Sequence, residues 1–257
     1  MKRVVLWSLA GLASILLTLI ALFPISYLVP IIEAQTQGRI TLGDAQGTLW
    51  NGSAFIGSAP SRTDPITPLL PGRFSWRISP LILLGKVDAD LSNDESLTQP
   101  LHISGNWQEI SISNAALNLP AARLASLGAP LNTLQPSGQM RLSWQGLRVS
   151  LLQGEVQLGG VMNLAMQNIA SRLSPIQPLG AYNLEFIWHG ARADVALSST
   201  QGPLLLVGKG DFSHGRLHFS GNAQAAVGHE SELANLLNLL GQRGMMDGKE
   251  VILLNAN

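Results

Sequence analysis

The chain has 257 residues, 16 basic and 16 acidic, a net charge of zero and no cysteine. The charge balance leaves no basic footprint for nucleic acid. The missing thiols exclude thiolate catalysis, thiolate metal sites and anchoring through a lipidated cysteine. Charged residues are 12% of the chain, about half the usual share, and Ser, Asn, Gln and Gly take their place, a composition that suits β-structure with a neutral polar face.

Val4 to Ile32 holds no charge, with Lys2 and Arg3 before it and Glu33 after it. A bilayer core takes about 20 apolar helical residues. Pro24 and Pro30 interrupt the helical pattern, so the predicted span is about Val5 to Phe23. Lys2 and Arg3 form a basic head that stays in the cytoplasm, and Trp7 and Tyr27 suit the two interfaces. A cleaved signal peptide is the alternative, but its apolar core is about 7–15 residues long and ends at a small-x-small site. Phe23-Pro24-Ile25-Ser26-Tyr27 offers no such pair. The expected organisation is a cytoplasmic head and single anchor in 1–32, followed by a β-rich domain in 33–257 on the far side of the membrane.

Beyond the anchor, period-two alternation dominates. It marks strands at Arg73–Ser79, Val87–Leu91, Ile110–Ser113, Gln139–Trp144, Tyr182–Phe186 and Arg216–Ser220, with a continuous apolar run at Leu204–Val207. Turn signals such as Pro71-Gly72, Ser104-Gly105-Asn106, Pro136-Ser137-Gly138 and His189-Gly190 separate them. This spacing predicts antiparallel sheet, not βαβ units. Two short helices are predicted. One covers Leu119–Gly128, with Pro120 in its first turn. The other covers Glu230–Leu240, with Leu233, Leu236, Leu237 and Leu240 on one stripe and Gly241 as its cap. A final strand is expected over Glu250–Leu254.

No catalytic constellation appears. There is no Gly-x-Ser-x-Gly and no Ser-x-x-Lys. Gly202–Lys209 is one residue too long for a phosphate loop, and Gly210 stands where Ser or Thr is needed. His214 and His218 flank a turn and a strand, where residues four apart are about 13 Å apart, too far for one metal ion. Asp88 and Asp90 share a strand face that reads as solvated. Trp50, Trp76, Trp107, Trp144 and Trp188 follow the apolar phase and read as core or groove lining. No catalytic, cofactor or metal residue is assigned.

Several stretches, in order, resemble the type II secretion system protein N family of Gram-negative bacteria. They are Gly47-Thr48-Leu49-Trp50-Asn51-Gly52, Leu119-Pro120, Pro136-Ser137-Gly138, Pro178-Leu179-Gly180-Ala181-Tyr182, Gly202-Pro203-Leu204 with Gly208, and the Leu-rich Glu230–Gly241 segment. The resemblance implies a non-enzymatic, single-pass inner-membrane component. Its partners would be other inner-membrane subunits of the secretion apparatus, supporting export of folded periplasmic proteins. The periplasmic part also looks like Asm-type anchored proteins, which implies the alternative of a carrier for lipid or another hydrophobic ligand.

The expected fold is mainly β, an antiparallel, curved or partly open sheet, with a sandwich as the alternative. Phe74, Trp76, Trp144 and Phe186 are its candidate apolar face. A wide apolar face does not stay bare. In a closed sandwich these four side chains are core; in an open groove they are available to a ligand or partner.

Overall fold

Alternating apolar and polar residues fold the chain into one antiparallel sheet. The computed structural model describes residues 2–36, 40–58, 67–128, 131–152, 154–213, 215–246 and 249–256. Side chains are described for these except 2–6, 13, 16, 17, 243, 245, 246, 249–251 and 254–256. The chain opens with helix α1 (Lys2–Ala21), a 3-10 turn at Ile25–Tyr27 and α2 (Val29–Gln35). The first strands are β1 (Ile40–Gly47), β2 (Asn51–Ser58), β3 (Thr67–Pro68), β4 (Phe74–Ile78) and β5 (Lys86–Ser92). Next come β6 (Leu101–Asn106), β7 (Glu109–Ile112) and β8 (Ala115–Pro120), then α3 (Leu131–Leu134) and the long β9 (Pro136–Leu152) and β10 (Glu155–Ser171). β11 (Gly180–Gly190), β12 (Arg192–Gln201), β13 (Leu204–Ser213) and β14 (Arg216–Ala225) lead to α4 (Glu230–Leu240), β15 (Gln242–Met246) and β16 (Lys249–Ala256).

Along the sheet the order is β1-β2-β4-β5-β6-β7-β9-β10-β11-β12-β13-β14-β16-β15, with β3 beside β2 and β8 beside the lower half of β9. β1 and β15 end this path, so the sheet is open. The sandwich alternative falls, because the described strands form one sheet and not two. Nearly every strand pairs with its neighbour in sequence, as short hairpin connections require.

Cross-strand register sets the two faces. Leu142, Leu164, Leu184 and Leu197 lie side by side on one face. Ser143, Asn163, Glu185, Ala196, Lys209 and Ser220 form the corresponding row on the other. Ser143, Asn163 and Ser220 of this row are neutral and polar, and Glu185 and Lys209 carry its two charges.

Several expectations change. The strands at Gln139–Trp144 and Tyr182–Phe186 are cores of longer ones, and β10 carries no clean alternation because Gly159, Gly160 and two register shifts blur it. The helix expected at Leu119–Gly128 is a 3-10 helix, Ala121–Leu127, with Pro120 as its N-cap residue. No side chain caps it, which suits a short tight turn over an α-helix. Gly241 is no left-handed cap, since its φ of 179° is extended backbone. There are more short helical pieces than the two expected: α2, with Pro30 in its first turn, α3, and a 3-10 turn at Pro80–Leu84. Trp107 is not core or groove lining but 62% exposed at the β6–β7 turn.

Lys2 and Arg3 open α1, with their side chains outside the described set, while Trp7 and Tyr27 are both exposed. Counted on described residues alone, which omit the side chains of Lys2–Leu6, Ala13, Leu16 and Leu17, no helix is long and apolar enough to cross a membrane. The structure therefore does not establish the span expected from the sequence.

Candidate functional site: an apolar groove beside a closed core

The apolar face divides into two regions. In the first, Phe74, Leu97, Leu101, Ala115 and Trp144 form a buried cluster, with Ile56, Leu91, Leu117 and Met162 packed against it. The Trp144 indole donates to the Ser113 carbonyl at 2.9 Å, so its one polar atom is satisfied inside the core. Residues 93–100 help to close this region. Asn93 Oδ1 accepts from the backbone N–H of Glu95 and Ser96 at 2.9 and 2.6 Å, and the Ser96 hydroxyl donates to the Pro71 carbonyl at 2.6 Å. Leu97 is thereby held in the cluster, bridged to Leu117 of β8.

In the second region the face stays open. A groove of about 430 Å³ runs over β11–β14, walled by α4 on one side and by β10 and α3 on the other. Its floor includes Tyr182, Leu184, Phe186, Val195, Leu197 and Phe219, and Leu236 and Leu240 of α4 form the wall. α4 is seated by Leu233 and Leu236, which are buried against Leu179 and Leu204. Phe219 lies across the sheet because β13 has glycine beneath it: a Cβ at Gly208 would come within 2.2 Å of the ring. The aromatic side chain thus covers backbone that no neighbouring side chain covers.

The polar groups at the groove are already engaged. The Tyr182 hydroxyl donates to the Leu204 carbonyl at 3.1 Å, and burial pushes its pKa well above the ordinary tyrosine range. The Ser171 hydroxyl donates to the Leu134 carbonyl at 2.6 Å. Among the described residues no charged side chain lines the groove. Such a lining matches hydrocarbon or an apolar protein side chain in polarity.

The four face residues expected from the sequence do not meet at one place. Phe74 and Trp144 are in the closed core. Trp76 is half-buried, its ring over Gly52 and its indole donating to the Leu49 carbonyl at 3.0 Å. Phe186 lies in the groove, its ring stacked with Trp188 at 6.5 Å between centroids. The rest of the lining comes from residues that alternation along the chain does not join. The Leu204–Val207 run and the α4 stripe were visible signals, but only the topology brings them to one cavity. The histidines form exposed pairs, His102 with Asp90 at 2.8 Å and His218 with Asp211 at 3.5 Å among them. His214 lies outside the described residues. Among the described residues no cluster of three or more metal-ligating side chains occurs.

By its fold this is an open antiparallel β-sheet protein with an apolar groove on one face. The family model for the type II secretion system (T2SS) protein N matches residues 38–249, so the chain belongs to that family. No curated protein and no solved structure shows significant similarity to it. The family is a component of the type II secretion machinery, which places the chain among proteins of that apparatus and of the cell envelope.

Proposed function

We propose that this chain is a non-enzymatic, single-pass inner-membrane component of the type II secretion apparatus. Residues 1–32 would form the cytoplasmic head and anchor, and 33–257 the periplasmic domain. It would support export of folded periplasmic proteins by contacting other inner-membrane subunits of the machine. The family match over residues 38–249 carries this reading.

The anchor has its own physical support. α1 has 20 residues, which at 1.5 Å per residue is about 30 Å, the thickness of a bilayer core. Trp7, Leu9, Leu12, Ile15 and Leu19 are all exposed, on more than one side of the helix. A helix apolar on all sides belongs inside protein or lipid. Lys2 and Arg3 favour a cytoplasmic N-terminus. A reporter active only in the periplasm, fused after Asn257, tests the orientation, and cross-linking in secreting cells tests the partners. A cytoplasmic readout overturns the topology; secretion-subunit adducts no more abundant than those of an unrelated anchored protein overturn the role.

The groove favours a second reading, a membrane-anchored periplasmic carrier of lipid or another hydrophobic ligand. Its 430 Å³ and almost wholly apolar lining suit an acyl chain. Organic extraction of the purified full chain followed by mass spectrometry separates the two. A stoichiometric lipid that Phe186→Glu removes favours the carrier.

A further inference from the structure

Because successive strands alternate in direction, every other turn of the sheet falls on the same edge. The β1–β2 turn, the Pro80–Leu84 turn, the β6–β7 turn and the β9–β10 turn all lie there. Backbone and indole bonds tie them into one continuous rim. The Ile78 N–H donates to the Trp50 carbonyl at 2.7 Å, the Trp107 indole to the Ile82 carbonyl at 2.7 Å, and the Leu151 N–H to the Gln108 carbonyl at 2.8 Å.

Between β4 and β10 this rim is unusually apolar for exposed turns, whereas the β11–β12 and β13–β14 turns farther along the same edge carry His189, Arg192 and Arg216. Leu84 is 82% exposed, and Leu81, Leu83, Trp107, Leu151 and Leu152 are exposed as well. Glycine, asparagine and aspartate are what turns ordinarily carry. The opposite edge carries Asp94, Glu95 and Gln99, with Leu173 and Val227 as isolated apolar residues. Isolated apolar residues are ordinary on a surface, whereas a joined apolar rim is not.

α1 leaves the sheet at this same rim. The Trp50 indole donates to the Ile20 carbonyl at 2.8 Å, satisfying a carbonyl in the last turn of the helix. The Leu49 N–H donates to the Phe23 carbonyl at 2.9 Å, and Pro24 bridges Thr48. The exposed apolar surface of α1 and the apolar rim therefore begin at one joint.

We propose that this rim is a membrane-contact surface, seated on the lipid headgroups of the leaflet from which α1 emerges, with Leu83, Leu84, Trp107 and Leu152 inserted at the interface. The proposal rests on the anchor reading of α1. Leucine and tryptophan side chains are those that enter the boundary between headgroups and acyl chains. Lys86, Arg148, Glu109 and Glu155 are exposed on the flanking strand ends, where charged groups remain in water. The sheet would then stand on the membrane by two supports, the helix and the rim.

The chain has no cysteine, so single labels can be placed cleanly. The full chain is reconstituted into phosphatidylethanolamine and phosphatidylglycerol vesicles with an environment-sensitive fluorophore at Leu84→Cys, Leu152→Cys, Ile15→Cys or Asp94→Cys. Lipids carrying a nitroxide just below the headgroup serve as quenchers. The expected result is blue-shifted, quenched emission at Leu84 and Leu152, and water-like, unquenched emission at Asp94. If Leu84 and Leu152 match Asp94 while Ile15 is quenched, the anchor stands and the rim proposal is overturned. If Ile15 is unquenched, the anchor reading fails, and the rim proposal that rests on it is overturned with it. A blue shift at the rim without quenching, together with cross-links between copies, overturns the proposal in favour of self-association.

Discussion

From β2 to β9 the apolar face is covered by the chain's own segments; from β10 to β14 much of it is not. Both regions alternate apolar and polar residues in the same way, so the binary pattern does not decide the difference. Where the connections lie does. Residues 93–100 and 121–128 fold back, and they supply Leu97 and the 3-10 helix whose Arg123 donates to the Pro68 carbonyl at 2.8 Å. In the second region β11 passes to β12 through Ala191 alone, and β12 to β13 through Gly202 and Pro203. Such tight hairpins leave no chain to lie over the sheet. Among the described residues, 172–179, which bring Ile176 and Leu179 to the cluster, and α4, arriving after β14, cover one end of the face, and the groove is what they leave.

The contrast can be broken most severely from the closed side. Trp144→Ala removes a buried indole from the core and is expected to lower stability by about 3–5 kcal/mol. Denaturant melting of the full chain in detergent reads this, and a loss under 1 kcal/mol would mean that the region is not packed as described. Next comes the seat of α4. Leu233 is fully buried, and Leu233→Ala is expected to cost about 2–5 kcal/mol. The loss should be local, with hydrogen exchange rising over 230–240 and not over β4–β9. Equal acceleration in both would show one cooperative core and not two regions.

A smaller effect is expected at the groove floor. Tyr182→Phe removes the bond to Leu204 and should cost about 1 kcal/mol. The phenol's pKa is raised in the fold by burial, so the unfolded chain ionises first. The stability tied to the neutral phenol is complete below its unfolded pKa of about 10 and is lost as pH rises beyond it. An alkaline melting series should therefore fall more steeply for the native chain than for Tyr182→Phe. The smallest effect lies away from both regions. Asp44 is held below its ordinary pKa by the Gln46 amide and then by Arg73, whose guanidinium also sits 4.4 Å from the centre of the Phe55 ring. Its contribution is present above the unfolded carboxylate pKa and fades as pH falls through the folded value. Asp44→Asn should flatten the acid end of the melting curve slightly, because the pair is solvent-exposed.

The strands were legible where alternation was strict, as in Phe74–Ile78 and Lys86–Ser92. β10 was not, because its glycines and bulges interrupt the period that reveals a strand. α4 was legible because Leu233 and Leu236 fall on one helical stripe. The groove was not, since Leu184, Leu197 and Leu236 are far apart in sequence and meet only through strand order. Nor could alternation show that Trp144 and Phe186, in the same phase on neighbouring parts of one sheet, differ in cover. That depends on which connections return over the sheet and where they lie.

The central claim is that one apolar face is closed at Trp144 and open at Phe186. The most direct measurement is thermal melting, by circular dichroism, of full chains carrying glutamate at each position in turn. Trp144→Glu places an unpaired charge in a packed core and should abolish the cooperative transition. Phe186→Glu can turn its carboxylate into the open groove and should retain a transition close to that of the native chain. Equal loss at the two positions, or a native-like melt for Trp144→Glu, would contradict the account.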